Sequence, residues 1–515
     1  MSATRVAIVG FGPRGAGALE RLIAHAAPDP GPLDVTIFEP HPDLGAGPAY
    51  AHDQPEFLLM NFPASRVDVS WRGGPGPPSD LKRIHSISFA EWHGLDPDLA
   101  DRWYPPRALV GRYLCDVARE LLRSAPFSVE LRSERVGRIE RAGGCWSLDS
   151  PSGARDFDEV LLAVGHGQAA ASDPSGPPLG ATDRVGIRGF GLTAIDLILE
   201  LTEGRGGRFE EDGRGGLVYE PTGQEPARIL PRSRSGRPML VKPEPGLSPA
   251  PRESVVEAFE LGGRRIRALG PDAAIEGLAA TLASLCGELL LLERADAEAG
   301  EWLSAACELR LGPCDDPVGA IKRSLRIDRG ERSPDLPWAL GLAWREVYPA
   351  IVERFSHGGL RASERATFLS LASEFERLAF GPPPVNAAKL LALVDAGILS
   401  PSSGPQADFD RIDVEINAVI APPGLHEAQA PLGGLRSAGF LRLPPGARGI
   451  EVNRETRCVG ADGSITSGLA ACGRLTEDWL IGNDTLNRSL HPEADRWAAA
   501  VCGANSPLSS VGAPA

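Results

Sequence analysis

The sequence is poor in lysine, and arginine supplies nearly all of its positive charge. Of its 515 residues only four are lysine, at positions 82, 242, 322 and 389. The 68 acidic residues outnumber the 53 basic ones, which leaves a net charge of −15. A chain this acidic is electrostatically mismatched to nucleic acid and to anionic membranes, so we predict neither as a partner.

Cysteine pairs are also missing. The 8 cysteines include no C-x-x-C motif. This argues against a dithiol redox centre, and we predict no metal site. Cysteines without a disulfide-like arrangement are typical of a reducing compartment, so we predict a cytoplasmic protein in which they act as small buried hydrophobes.

Uninterrupted apolar runs of membrane-spanning length are absent. The best candidate, residues 274–292, contains Glu276 and Glu288, so it predicts a core helix. The first apolar run is punctuated by glycines and predicts a strand, not a signal peptide. Because 515 residues exceed what one core accommodates, two or three domains are expected.

What the chain does have is a glycine-rich turn near its N-terminus. A short β-branched run predicts a buried parallel strand, and Gly10, Gly12 and Gly15 follow it with G-x-G-x-x-G spacing. A helical pattern comes next, and then a second apolar strand that ends in Glu39. This order predicts a dinucleotide-binding βαβ unit whose terminal carboxylate accepts hydrogen bonds from an adenosine ribose.

A second fingerprint lies farther along the chain. Gly189 and Gly191 follow an apolar strand, and Ala194 stands at the third glycine position. The next strand ends near Arg232 and Arg234, where guanidinium groups suit the 2′-phosphate of NADP. A solvated basic turn is the alternative interpretation of these two arginines.

The two fingerprints suggest an α/β protein with two Rossmann-like dinucleotide-binding domains and a helical insertion. Helices are predicted at residues 273–292, 297–309, 317–325, 338–355, 363–378 and 386–396. The predicted domains are residues 1–175 (first dinucleotide-binding domain, first part), 176–250 with 400–424 (second dinucleotide-binding domain), 251–399 (helical insertion with room for a substrate), 425–502 (first dinucleotide-binding domain, completing part) and 503–515 (a loose tail).

Motifs spread over nearly the whole chain resemble the FAD-NAD(P)-binding family of bacterial flavoproteins. These proteins are related to the class B flavin monooxygenases that N-oxygenate amino acids and amines. The matching motifs are VAIVGFGPRGAGALERL (6–22), GAGPAY (45–50), LLMNFPAS (58–65), YPPRALVGRYL (104–114), LLAVGH (161–166), GFGLTAID (189–196), FGPPPVNAAKLLALVDAGIL (380–399) and IGNDTLNR (481–488).

The resemblance implies that the first fingerprint holds FAD and the second NADPH. It also implies that Asn61 lies near the reactive edge of the flavin, where we interpret it as a candidate catalytic residue. A turn or capping amide is the alternative role for Asn61. The candidate cofactor-binding residues are Gly10, Gly12, Pro13, Arg14, Gly15, Glu39, Gly45, Gly47, Tyr50, Asn61, Phe62, Arg107, Val136, Gly165, Gly189, Gly191, Thr193, Ala194, Arg232, Arg234 and Gly473.

The function that the resemblance implies is an FAD- and NADPH-dependent monooxygenase. Through a C4a-hydroperoxyflavin it would transfer oxygen from O₂ to the nitrogen of a small amino acid or amine. The chain lacks F-x-G-x-x-x-H-x-x-x-W before its second fingerprint, which disfavours a Baeyer–Villiger enzyme. Two alternatives stay open: an NADPH-dependent flavin reductase or dehydrogenase without oxygen transfer, and a non-catalytic flavin-binding protein. A homo-oligomer is also left open.

Overall fold

The computed structural model describes residues 3–26, 32–70, 87–165, 179–233, 235–243, 252–292, 314–401, 412–425 and 430–503. Its first nucleotide-binding unit is built around a six-stranded sheet. All neighbouring strands are parallel except the first pair at one edge. In spatial order the strands are β13 (Arg457–Val459), β14 (Ile465–Ala471), β7 (Glu159–Leu162), β1 (Thr4–Val9), β2 (Leu33–Phe38) and β3 (Ser128–Arg132).

Helices cover this sheet because its central strands are apolar on both faces, as expected of parallel strands. Helix α1 packs against both α4 and α14, and the three share one apolar cluster with β1 and β2. The helices of this unit are α1 (Pro13–Ala26), α2 (Phe89–His93), α3 (Pro97–Arg102), α4 (Arg107–Ser124), α13 (Leu432–Ser437) and α14 (Glu493–Val501).

A separate antiparallel meander follows β3. It consists of β4 (Arg138–Ala142), β5 (Cys145–Ser150) and β6 (Gly153–Phe157). Strand β5 pairs with both β4 and β6, while β3 joins the parallel sheet beside β2. Strand β6 was not predicted, because its residues are mostly polar and exposed.

The second nucleotide-binding unit is a three-stranded parallel sheet in the order β11 (Arg228–Arg232), β8 (Arg184–Arg188) and β12 (Val414–Asn417). Strand β12 lies within residues 400–424, which the sequence assigns to this unit, and it closes the sheet by pairing in parallel with β8. Helix α5 (Leu192–Glu200) begins directly after Gly191 of the second fingerprint. The sequence patterns missed the hairpin of β9 (Arg208–Glu211) and β10 (Leu217–Glu220).

Residues 252–292 and 314–401 are mainly helical, as predicted. The predicted helix over 338–355 is wrong in one respect: it is two helices that meet at Val347. Pro349 lies in the first turn of the second one, where its missing N–H costs no helical hydrogen bond. The helices are α6 (Arg252–Arg267), α7 (Ala274–Leu292), α8 (Pro317–Asp328), α9 (Leu336–Glu346), α10 (Tyr348–Phe355), α11 (Ala362–Ala379) and α12 (Pro384–Asp395).

Helix α6 was not predicted, because its Gly262–Gly263 pair has low helix propensity. A Cβ atom at Gly262 would lie 2.7 Å from Leu285 Cδ1, so glycine allows α6 and α7 to pack closely. Helix α7 is the one described helix that is long and apolar enough to cross a membrane. In this structure its buried side chains, including Leu282 and Leu289, belong to the apolar cluster of the helical region. The predicted helix over 297–309 lies outside the described residues, as do residues 504–515 of the predicted tail.

The domain division stays a prediction. The packing of two helices, α8 and α12, shows which unit each of them contacts. Ile321 of α8 and Leu393 of α12 lie in the same apolar cluster as Ile187 and Ile229 of the second sheet. Most of the other described helices between α6 and α11 share a different cluster. By packing, α8 and α12 therefore associate with the second nucleotide-binding unit, although the sequence grouped them with the insertion.

Candidate functional site

The first fingerprint turn is tightly packed at its first and third glycines and open at its second. Gly10 has a φ of +95°, and a Cβ atom there would lie 2.5 Å from the Ala163 carbonyl oxygen. A Cβ atom at Gly15 would lie 2.2 Å from the Gly10 carbonyl oxygen. At Gly12, in contrast, a Cβ atom would meet no heavy atom within 4 Å. The backbone is therefore accessible at Gly12, where a Rossmann turn receives the pyrophosphate.

Helix α1 starts beside this opening. Pro13 is its first residue, a position where the missing N–H leaves no helical bond unmade. The half-buried Arg14 donates from Nη2 to the Asn483 carbonyl oxygen at 3.0 Å. Gly473, after β14, has a φ of +68°, and a Cβ atom there would lie 3.1 Å from Arg14 Cγ. The two ends of the first unit thus converge at the N-terminus of α1, which favours an anion.

Glu39 ties the end of β2 to the fingerprint turn. Its Oε2 accepts from the Phe11 backbone N–H at 2.6 Å, and its Oε1 accepts from the His41 N–H at 2.8 Å. Each carboxylate oxygen has a second lone pair, so a ribose hydroxyl can still donate to it. The carboxylate is buried and held in place before any ligand binds.

The loop with Gly45 and Gly47 lies against the same turn. The Gly45 N–H donates to the Phe11 carbonyl oxygen at 2.7 Å. A Cβ atom at Gly47, whose φ is +64°, would lie 3.7 Å from Gly12 Cα. Tyr50 follows, and burial raises the pKa of its hydroxyl to about 12. The structure therefore brings this loop and the first fingerprint together, and its contact with a cofactor stays a prediction.

Two other candidates lie farther out on the first unit. Gly165 is exposed after the end of β7, with a φ of +59°. The Val136 side chain is buried in one apolar cluster with Val9 and Phe38. Any contact between Val136 and a nucleotide would therefore come from its backbone.

The second fingerprint repeats the turn with different contacts. Gly189 has a φ of +123°, and its N–H donates to the Arg232 carbonyl oxygen at 2.8 Å. Gly191 precedes α5, and Thr193 is exposed in the first turn of that helix. Ala194 is fully buried. An accessible helix start with a hydroxyl beside it suits a second anionic ligand.

Of the two arginines predicted to recognise the 2′-phosphate, only Arg232 is among the described residues. Arg232 Nη2 forms an ion pair with Glu415 Oε1 at 2.6 Å, so its guanidinium contacts a carboxylate on β12. Arg234 lies outside the described residues.

Asn61 contacts the end of α11 and also a lysine that sequence reasoning missed. Its side-chain Nδ2 donates to the Phe380 carbonyl oxygen at 3.3 Å, and its own carbonyl oxygen accepts from Lys242 Nζ at 2.9 Å. Lys242 is fully buried, and its Nζ lies 3.1 Å from the ring centroid of Phe62. The rarity of lysine in this chain was the one signal in the sequence that could have identified Lys242. Asn61 therefore lies at a junction of three segments that are distant in sequence.

Arg107 joins the Asn61 segment to the second fingerprint helix. Its Nε donates to the Leu59 carbonyl oxygen at 3.2 Å, and its Nη2 forms an ion pair with Asp196 Oδ2 at 2.6 Å. Burial raises the pKa of Asp196 on α5, and the Arg107 charge opposes that rise. Burial also raises the pKa of Glu200, one turn farther along α5. The charged end of Arg107 thus links the two nucleotide-binding units.

A second junction residue, also missed from the sequence, is Glu376. Its Oε1 accepts from the Tyr348 hydroxyl at 3.1 Å. Burial raises the pKa of Glu376 to about 7, and the negative charge of Asp484 adds to the effect. A Cβ atom at Gly482 would lie 2.7 Å from Tyr348 Cε1, so the IGNDTLNR segment abuts this pair. A titratable carboxyl group therefore lies where the helical region meets the first unit.

The seven described cysteines are all free. Burial raises the pKa of Cys458 and Cys472, the two that lie deepest in the first unit. Within the described residues the protein thus presents no disulfide and no activated thiol at these positions.

Comparison with known proteins finds a family match within the first nucleotide-binding unit. Residues 7–167 match the FAD-NAD(P)-binding family. The chain is similar to a nitrosuccinic acid synthase of Aspergillus oryzae, with 34% identity over 268 residues that cover 45% of this chain and 40% of the relative. It is also 34% identical over 292 residues to an L-aspartate N-monooxygenase (nitrosuccinate-forming) of Streptomyces cremeus, covering 46% of this chain and 43% of the relative.

The chain therefore matches less than half the length of these curated relatives. Among solved structures, a flavin-containing monooxygenase from Stenotrophomonas maltophilia aligns over 98% of this chain and 99% of its own, with 15% identity and a TM-score of 0.43. The expected resemblance to the FAD-NAD(P)-binding family is confirmed for residues 7–167. The geometry around Gly12 fits a dinucleotide, because the turn, the anchored Glu39 and the start of α1 surround one open approach.

Proposed function

We propose that the protein is an FAD- and NADPH-dependent monooxygenase that N-oxygenates a small amino acid, with L-aspartate as the first candidate. The observation that carries the proposal is the ion pair that joins Arg107, at the start of α4 in the first nucleotide-binding unit, to Asp196 on the helix of the second fingerprint. A nucleotide in each fingerprint would place hydride donor and acceptor within one protein. The names of the two partial relatives support aspartate and an oxygen transfer to nitrogen.

The residues of this chain would divide the work as follows. Gly12, the N-terminus of α1 and Glu39 would hold FAD, and Gly191 with Thr193 would hold the phosphates of NADPH. Bound FAD supplies the redox and oxygen chemistry, and NADPH supplies two electrons. One oxygen atom of O₂ would go to the amine nitrogen and the other to water.

The junction around Asn61 would shape the reaction space. The rings of Phe62 and Phe380 lie 6.2 Å apart, and those of Phe380 and Tyr348 lie 5.2 Å apart, so a continuous aromatic wall follows this side. Such a wall excludes water, which protects a reactive intermediate from hydrolysis. Asn61 would then hydrogen-bond at the reactive edge, in keeping with the role proposed for it from the sequence. A cytoplasmic location stays a prediction, and the oligomeric state stays open.

The test measures NADPH oxidation by the purified, FAD-loaded protein in air, with L-aspartate, L-asparagine, L-glutamate and L-ornithine. Hydrogen peroxide and N-oxygenated products are quantified in the same samples. We expect one amino acid to accelerate NADPH oxidation and to yield a hydroxylamine or nitroso product with little peroxide. Stoichiometric peroxide with every amine, together with rapid electron transfer to an external acceptor, would support the reductase alternative instead.

A further inference from the structure

Glu376 is a carboxyl group to which the proposed function gives no role, although it lies beside the junction around Asn61. It belongs to the last turn of α11, and its carbonyl oxygen accepts from the backbone N–H of Phe380, the residue that ends this helix, at 2.9 Å. The Phe380 carbonyl oxygen in turn accepts from Asn61 Nδ2. One helical turn therefore separates Glu376 from the residue that contacts Asn61.

The carboxyl group of Glu376 lies deep in the fold but keeps part of its surface accessible. Its side chain is half-buried, as are those of Tyr348, Phe380 and Phe62. These side chains contact one another in sequence, from the carboxyl group through the Tyr348 hydroxyl to the aromatic wall. We interpret their accessible parts as one side of a narrow cleft, with the carboxyl group at one end of the wall and Asn61 near the other.

Glu376 has few partners for a carboxylate in such surroundings. Among the described residues it accepts one side-chain hydrogen bond, from the Tyr348 hydroxyl to Oε1, and it forms no ion pair. Glu374, two residues earlier on α11, instead pairs with both Arg237 and Arg377. The second oxygen of Glu376, Oε2, is therefore free to accept a proton from a ligand in the cleft.

The charges around Glu376 suit it to accept a proton at neutral pH. Burial raises the pKa of Glu376 to about 7, and the negative charge of Asp484 adds to the rise, while the hydrogen bond from Tyr348 opposes it. Asp478 and Arg448, which form an ion pair with each other, act less strongly and in opposite directions. A general base is most effective when its pKa lies near the working pH.

Oxygen transfer to nitrogen needs such a base. The nitrogen reacts through its lone pair, and the ammonium group that an amino acid carries at neutral pH has none. Desolvation lowers the pKa of an ammonium group and raises that of a carboxylic acid, so an apolar cleft brings the two values closer together. A proton can then pass from the amine to a carboxylate within the cleft.

We propose that Glu376 is the catalytic residue that deprotonates the substrate amine, and that Tyr348 positions its carboxylate. This role rests on the proposed function. Glu376 Oε2 takes one proton from R–NH₃⁺, which leaves R–NH₂ with a free lone pair and Glu376 as the neutral acid; no electrons are exchanged in this step. Once the nitrogen is oxygenated and uncharged, the acid releases its proton to water through the cleft, on the side of the exposed Asp484.

The test is the pH profile of kcat/KM for the N-oxygenated amino acid, measured on the FAD-loaded full chain. We expect the wild-type value to fall below about pH 7, because Glu376 then takes its proton from the solvent. Glu376→Gln should be about 100-fold slower near neutral pH, the usual contribution of a general base. Its profile should rise until the amine itself is deprotonated in solution, above about pH 8, and should there approach that of the wild type.

Tyr348→Phe tests the same role in case Glu376→Gln folds poorly. It keeps the ring that packs on Phe380 and removes the hydroxyl that stabilises the charged carboxylate. The fall in kcat/KM should therefore move to higher pH by about one unit. Glu364→Gln, which removes a carboxylate paired with Arg361 at the other end of α11, is the matched control and should keep the wild-type profile.

Two failures can be told apart by the product that the wild type forms. If the wild type N-oxygenates an amino acid, the role of Glu376 is overturned when Glu376→Gln keeps the fall below about pH 7, or when Tyr348→Phe leaves that fall where it is. If the wild type forms no N-oxygenated product at any pH, the proposed function is refuted, and this role with it.

Discussion

The two glycine fingerprints follow the same path from strand to turn to helix, yet they differ at the third position. In the first, Gly15 lies so close to the Gly10 carbonyl that no Cβ atom fits. In the second, Ala194 occupies that place with its Cβ atom fully buried. The helix therefore approaches its turn more closely in the first unit. Spacing alone does not show how tightly each turn is built.

The strands that follow the two turns differ as well. Glu39 is held by two backbone N–H groups of its own unit, whereas Arg232 pairs with an acid on the neighbouring strand β12. The first sheet has six strands and the second has three. The first unit is thus more rigidly prepared for its ligand, and the second depends more on contacts with surrounding segments. The following substitutions test that difference.

The largest effect on stability is expected when the residue at the third glycine position of a fingerprint is replaced by the residue that the other fingerprint has there. Gly15→Ala should destabilise the protein by about 3 kcal/mol, because its Cβ atom would overlap a backbone oxygen that cannot move independently. Ala194→Gly should cost only about 1 kcal/mol, the usual difference between alanine and glycine within a helix. Urea unfolding monitored by circular dichroism measures both. Equal losses would show that the two turns are equally tight.

The junction between the units should make stability depend on pH. Because Glu376 has a folded-state pKa of about 7, raised from 4.5, the folded protein holds this proton more tightly than the unfolded chain. Its stabilising contribution is full below about pH 4.5 and is lost as the pH rises through 7, on the order of 3 kcal/mol in all. Glu376→Gln should flatten the fall in Tm between pH 5 and 8.

The control for this prediction is Glu353→Gln, which changes an exposed carboxylate paired with Arg267. It should leave the pH dependence of Tm unchanged. If Glu376→Gln also leaves it unchanged, the carboxyl group at the junction is solvated, and the units are less closely joined than the structure indicates.

Valine at the second glycine of either fingerprint should weaken ligand binding and still allow the protein to fold. At Gly12 a Cβ atom meets nothing within 4 Å, so Gly12→Val should fold while FAD affinity falls at least about tenfold, or 1.4 kcal/mol. Gly191→Val should likewise weaken NADPH, since the nearest atom to its Cβ position is Met239 Sδ at 3.9 Å. Flavin absorbance of the purified protein and NADPH titration measure the two. Full flavin content in a folded Gly12→Val protein would show that this turn does not hold FAD.

Removing the ion pair between the units should have a smaller effect. Asp196→Asn leaves Arg107 with its bond to the Leu59 carbonyl but without its carboxylate, at a cost of about 1–2 kcal/mol for a partly buried pair. We expect FAD content to stay normal while NADPH reduces the flavin more slowly. Stopped-flow reduction under anaerobic conditions measures the rate, and Glu203→Gln, in the ion pair with Lys389 within the second unit, is the control. A reduction rate equal to that of the wild type would mean that the link does not position the two nucleotides.

The smallest effect on stability is expected at Arg232. Its pair with Glu415 is partly exposed, so Arg232→Ala should change the free energy of unfolding by about 0–1 kcal/mol. If its guanidinium also recognises the 2′-phosphate, the ratio of NADPH to NADH affinity should fall while NADH binding stays the same. An unchanged ratio would leave the recognition of the phosphate to other residues.

Much of the fold could be predicted because its signals are local. Both strand–turn–helix units, the closing strands of both sheets and most of the helices follow from apolar periodicity and glycine spacing. The errors also have local causes. Pro349 starts a second helix where one was predicted, and Gly262 with Gly263 lowers the helix propensity of α6, which was not predicted. Strand β6 was not predicted because its polar residues show no apolar alternation. The helix bounds differ from the predicted ones by one to three residues, because apolar periodicity does not mark the residue at which a helix begins or ends.

The candidate site was predictable only where its chemistry is contained in a motif. Gly10, Gly12, Gly15 and Glu39 lie within 30 residues of one another, and their roles follow from one βαβ pattern. The partners of Asn61, by contrast, are Lys242 and Phe380, which lie 181 and 319 residues away. No spacing rule connects such residues, because the chain between them can take any path that keeps its own elements intact.

The sequence by itself determined the two nucleotide-binding turns, their order and the class of ligand that they suit. These depend on backbone angles and helix starts, which neighbouring residues impose. Only the tertiary structure decided that Arg107 reaches Asp196, that Glu376 is buried beside Tyr348, and that Lys242 reaches the Asn61 carbonyl oxygen. Burial and charge pairing depend on distances across the whole fold, and those distances exist only once the sheets and helices have packed together.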